Sequence, residues 1–188
     1  MRITLPTALA VAILLTGCSS HTPPQTPPPA ATPAPQATAP DQGLPIDAMP
    51  TADRNDLSNC PYLDAEWVAQ TNGQRVTGSG IDERFDTPAC QFWSYPEEPQ
   101  LTVVVRHMTS PEEAMSVVDW AAPIDATGPA DKPAGWNGGR AGGGDVPGFP
   151  GAIYSVAKGS VAVSVWSNQQ ESIKAQAVAE QVIANLGL

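Results

Sequence analysis

From about Leu57 onward, apolar positions recur at spacings that name elements. Cys60, Leu63, Trp67 and Val68 fall at helical intervals, with Pro61 suited to a first helical position and Asn72-Gly73 to a stop. Ser110-Pro111-Glu112-Glu113 forms a capping box. Ala114, Val117, Val118 and Ala121 then share one face, so a second helix runs to about Pro123. Asn168 with Glu171 offers a similar box before a third helix, whose stripe is Ala175, Val178, Ala179, Val182, Ile183 and Leu186, with Gly187 in the cap position. Strand-like runs cover 74–81, 89–95, 101–107, 152–157 and 161–167, the last two alternating around a tight Lys158-Gly159 turn. The order α-β-β-β-α-β-β-α predicts a single α+β domain over 57–188. Its sheet should be mainly antiparallel, of about five strands, with helices packed on one face. The other face would then be open, and Gln91, Trp93 and Tyr95 alternate toward it, away from Cys90 and Phe92.

The chain ahead of this domain has a different character. Met1 and Arg2 precede an apolar run from Leu5 to Leu15, and Leu15-Thr16-Gly17-Cys18 follows. The run is too short to span a hydrocarbon core of about 30 Å. These residues resemble the bacterial lipobox, which implies a signal peptide over 1–17, diacylglycerol on the Cys18 thiol and cleavage before it. Residues 19–50 hold ten prolines among Ala, Thr, Gln and Ser. Such a stretch buries too little to offset ordering and favours extended polyproline II, so 18–56 is expected to be a disordered tether.

The formal charge of -10 disfavours nucleic acid and anionic lipid headgroups as partners. With Cys18 committed to lipid, Cys60 and Cys90 remain as an even pair in an oxidising compartment, where a disulfide is the expected outcome. Loop-closure entropy values a bridge over about 30 residues at about 3.6 kcal/mol. Lipobox, Pro-rich spacer, Cys60-Pro61-Tyr62-Leu63 and Cys90-Gln91-Phe92-Trp93 together resemble uncharacterised secreted lipoproteins of actinobacteria, of the mycobacterial and corynebacterial type, which carry a two-cysteine domain of unknown function. The resemblance covers about residues 57–188. It implies the outer face of the plasma membrane and supplies no catalytic residues. The two-cysteine layout is also similar to extracellular sensor domains of mycobacterial receptor kinases.

Candidate chemistry is sparse. His107 is the one histidine after the tether, and no G-x-S-x-G, P-loop, HExxH or EF-hand loop appears. Nothing calls for a metal or cofactor. Carboxylates at Asp82, Glu83, Asp86, Glu97, Glu98, Glu112 and Glu113 leave open a glycosidase-like acid and base pair, although helix starts and solvated turns are the preferred account of them. The segment 123–150 reads as one long loop, rich in glycine, that contains Trp136, Arg140 and Phe149. Two readings stand: a flap presenting these three to a partner, or aromatics anchoring the loop, with the second preferred because large apolar groups usually pack. The expected function is a non-catalytic binding or accessory module of the cell envelope, held to the membrane through Cys18. It would engage an unknown envelope protein or ligand through Trp136, Arg140, Phe149, Trp93 and Tyr95. The alternatives are an envelope hydrolase using a carboxylate pair and a purely structural envelope lipoprotein.

Overall fold

The computed structural model describes residues 43–188; the lipobox, Cys18 and the tether up to residue 42 lie outside the described residues. The element order is α1 (Ala65–Asn72), β1 (Gly78–Asp82), β2 (Thr87–Trp93), β3 (Pro99–His107), α2 (Pro111–Ala121), β4 (Gly128–Ala130), β5 (Asn137–Ala141), β6 (Ala152–Lys158), β7 (Val161–Ser167) and α3 (Ser172–Leu186). The α+β class and the antiparallel sheet match the pattern reading. The sheet, however, has seven strands in the order β1-β2-β3-β7-β6-β5-β4 rather than about five, every neighbouring pair antiparallel. Two meanders, β1-β2-β3 and β4-β5-β6-β7, meet at the β3/β7 pair, and α2 carries the chain from one to the other.

The expectation of helices on one face is corrected. Cys90 and Phe92 of β2, Leu101, Val103 and Val105 of β3, Tyr154 and Val156 of β6, and Val163 and Val165 of β7 form one core with Val68 of α1 and the Ala175, Val178, Ala179 and Val182 stripe of α3. The opposite register, including Val104, Ile153, Ala157, Ala162 and Trp166, packs instead with Ala114, Val117, Val118 and Ala121 of α2. Because side chains alternate along a strand, these are opposite faces, and the molecule has helix, sheet and helix layers. Small hydroxyls let α2 lie close: Ser155 and Ser164 are buried across the β6/β7 pair and bond to each other at 2.7 Å.

Local signals decide the helix ends. Ser110 Oγ accepts from the Glu113 amide at 3.2 Å, while the Glu113 carboxylate takes the Thr109 amide and hydroxyl, closing the start of α2. α1 begins later than the Pro61 spacing predicts. Asp64 is the cap, its carboxylate accepting from the Trp67 amide at 2.9 Å. The preceding residues stay irregular because Cys60 is bonded to Cys90 and the Tyr62 hydroxyl donates to the Pro88 carbonyl at 2.9 Å. α3 starts at Ser172 with no side-chain cap bond, since Asn168 is drawn away: its amide donates to Gln100 O and its side chain to Gln74. Gly187 closes α3 in the left-handed region at φ 67°, as its position suggests.

The segment 123–150 is not one loop, because it contains β4 and β5. Its glycines serve close approach as well as freedom. A Cβ on Gly138 would stand 2.0 Å from the Ser155 carbonyl oxygen, so only glycine pairs β5 against β6 there. The Tyr154 hydroxyl fastens the intervening turn, donating to Lys132 O at 2.8 Å and accepting from its amide at 3.1 Å.

Candidate functional site

The residues singled out from the loop do not come together. Trp136 is 2% exposed and belongs to the α1/α3 core, with the Lys158 ammonium 5.7 Å from its ring centroid. Phe149 is half-buried against the α2 core, on the other side of the sheet. Arg140 is exposed on β5 opposite Tyr154. It is in neither of the ion pairs seen among the described residues, Arg84 with Asp82 and Lys174 with Glu171. Three groups divided between two faces cannot form one flap site. Trp93 is also buried, at 3%, whereas Tyr95, at 73%, stands in solvent as Arg140 does.

Trp93 is covered by chain assigned above to the tether. Residues 44–56 run along the α2 side of β1, β2 and β3 as a strap, completing the part of that face that α2 leaves uncovered. Leu44 and Ala48 pack with Phe85, Ala89 and Val104. The rest is fastened by side chains. Buried Arg106 on β3 donates to the carbonyls of Leu44 at 2.9 Å and Pro45 at 3.0 Å, and its guanidinium lies 5.8 Å from the Phe85 ring centroid. Asp82, at the end of β1, accepts from the Thr51 amide at 2.9 Å, and Arg84 reaches the Met49 carbonyl at 3.3 Å. The Gln91 side-chain carbonyl accepts from the Ala52 amide at 3.1 Å. Arg54 of the strap grips the turn after β2, donating to Ser94 O at 2.8 Å and Pro96 O at 2.6 Å. Gly80 makes room: a Cβ there would lie 3.1 Å from Ala52 Cβ and from two Trp93 ring atoms.

The chemistry of this face is recognition of a main chain. Arg106 and Arg84 supply donors for carbonyls, and Asp82 and Gln91 supply acceptors for amides. Beneath lie polar Gln91 and Thr102, bonded at 3.5 Å, where the opposite face of β2 and β3 offers Cys90, Phe92, Leu101, Val103 and Val105. An open cavity of about 610 Å³ flanks the strap, and Asp53, Asp56, Asp82 and Glu83 reach it. The Arg84 side chain beside Asp82, with the Thr51 and Arg84 amides, lowers its carboxyl to about 2 and keeps it ionised at neutral pH. The other three carboxylates are exposed. A second recess, with Trp93, Gln91 and Glu97 in its wall, lies on the strap's other side. His107, at the far end of β3, pairs with the Thr87 hydroxyl at 3.3 Å. Among the described residues no cluster of His, Cys, Asp or Glu could hold a metal ion, and no helix is long and apolar enough to cross a membrane.

The strap was missed because its prolines resemble those of the tether. The available signal was Leu44, Ile46 and Met49, the first large aliphatic residues after the signal segment.

Fold and face together define the class: a disulfide-pinned antiparallel sheet with helices on both sides, part of whose surface holds an extended segment of its own chain. The chain belongs to the family described as domain of unknown function DUF2020, whose model matches residues 44–188. The match opens on Leu44, the first strap residue that Arg106 holds, so the strap falls within the family's domain. No curated protein matches the chain.

Proposed function

We propose that this protein is a lipid-anchored extracytoplasmic lipoprotein, and that its domain is a non-catalytic binding module of the cell envelope. The lipobox-like Leu15-Thr16-Gly17-Cys18 and the proline-rich segment behind it support the address and the attachment. One structural observation supports the binding role. The polar groups of the β1-β2-β3 face, Asp82, Arg84, Gln91 and Arg106, each make a side-chain hydrogen bond to the strap's main chain. A face that meets amides and carbonyls in this way engages a protein partner, and the membrane contact is left to the lipid on Cys18.

Detergent-phase partitioning tests the anchor. The wild-type chain should enter the detergent phase, whereas Cys18→Ala should remain unprocessed or partition into the aqueous phase. Unchanged partitioning of that variant would refute lipidation at this thiol.

A further inference from the structure

We propose that the groove on β1, β2 and β3 is a binding site for an extended, proline-punctuated segment of a partner protein, with residues 44–56 as its resident, displaceable occupant. This inference rests on the binding-module reading and names the site and the ligand chemistry. Three observations carry it.

The strap adds no strand. Between Leu44 and Asp56 its backbone bonds to itself, Ala48 to Pro45 and Asp56 to Asp53, while every polar link to the sheet passes through a side chain. The seven-stranded ladder is therefore complete without it. The surface beneath can also accept water. Beside the apolar Phe85, Ala89, Trp93 and Val104, it carries Asp82, Gln91, Thr102 and Arg106, groups that hydrate on opening, whereas the sheet residues of the core under α3 are almost wholly apolar. Meanwhile Ile46 and Met49 stay exposed even with the strap in place, so its apolar hold is confined to Leu44, Ala48 and Pro50. Segments with few apolar contacts open locally, well below the cost of global unfolding.

The fastenings also specify the ligand. Two arginines of the domain, Arg84 and Arg106, take carbonyls, including that of Pro45, and only two amides, of Thr51 and Ala52, are read. A segment with proline at the unread positions loses nothing, and its preformed extended shape lowers the ordering cost. Arg54 adds a basic anchor on the β2-β3 turn, in the same recess as the exposed Glu97. A partner segment with prolines about five residues apart and a basic residue after them would reproduce this pattern.

A resident occupant at high effective concentration competes with any segment supplied in trans, so loosening it should raise apparent affinity. The test is titration of a fluorescent peptide spanning residues 43–57 into the full mature chain, read by anisotropy. Wild type should bind weakly. Arg54→Ala, which releases the strap's own grip while leaving the groove intact, should bind at least tenfold more tightly. Adding Gln91→Ala should remove most of that gain, and a scrambled peptide should not bind. Equal binding by wild type and Arg54→Ala, or indifference to Gln91→Ala, would overturn the proposal. Amide exchange of the wild-type chain checks it without mutation: Thr51 and Ala52 should exchange at least a hundredfold faster than Val103 and Val165, and a common rate would overturn local opening. Size exclusion of Arg54→Ala should give a monomer, whereas a dimer would assign the groove to a second copy's strap and overturn the partner-protein occupant. Failure of the peptide with retained in-cell capture at the groove rim would overturn the displaceable strap while leaving the binding-module reading intact.

Discussion

At the scale of single residues, burial separates side chains that look alike in sequence. Trp136 and Tyr95 are both large aromatics outside clear repeats, yet one is 2% and the other 73% exposed. Trp136→Ala should cost about 3–5 kcal/mol in urea unfolding, the range for emptying an aromatic core site, whereas Tyr95→Ala should stay within about 0.5 kcal/mol. Asp82 shows the same separation among carboxylates. Its folded carboxyl titrates at about 2 against 3.8 for the ordinary group. The stabilisation is therefore fully present above about pH 4 and disappears as pH falls through about 2. Because Arg84 is half exposed, solvent screening reduces the contribution to on the order of 1–2 kcal/mol. Unfolding of wild type and Asp82→Asn should differ by about that amount at pH 6 and converge only toward about pH 1, below the folded value. The packing of Trp136 was the preferred reading of the sequence, but the state of Asp82 was not legible there, since sequence supplies the carboxylate and only the fold supplies its neighbour.

At the scale of elements, legibility followed the strength of the local signal. α2 and α3 end close to where their stripes and caps put them, and β3, β6 and β7 match their apolar runs. β4 and β5 were invisible because Gly128-Pro129-Ala130 and Asn137-Gly138-Gly139-Arg140-Ala141 lack the β-branched and aromatic residues that mark strands. They exist through tertiary pairing, β5 with β6 and β4 with β5, and Gly138 is there for the approach of the Ser155 carbonyl. The two-sided sheet did leave a trace. Leu101 to Val105 and Val161 to Trp166 are apolar at both parities, as strands buried on two faces should be, and the antiparallel order drew attention away from it. The Ser155/Ser164 pair under α2 offers a test of that layer. Either serine changed to alanine alone strands a buried hydroxyl and should cost about 1–3 kcal/mol, while the double change should be close to neutral. A double-mutant cycle by chemical denaturation measures the coupling.

At the scale of the whole molecule, the disulfide, the strap and the sheet form a single argument about position. Cys60 is tied to Cys90 on one face of β2, and Gln91, the next residue, holds Ala52 on the other, so the chain entering the domain is fixed on both sides of the same strand. That arrangement leaves the rim of the strap face, with Glu97 and Tyr95, exposed at the β2-β3 turn. The candidate site read from sequence contained two residues of this neighbourhood, Trp93 and Tyr95. It missed the groove itself, because a proline-rich segment does not announce that it will pack. The most direct measurement is site-specific photo-crosslinking in intact cells, with the crosslinker at Glu97 on the rim or at exposed Ala184 on α3 as a control. The account predicts a discrete protein adduct from position 97 that is absent from position 184. The same adducts from both positions, or none from either, would contradict it.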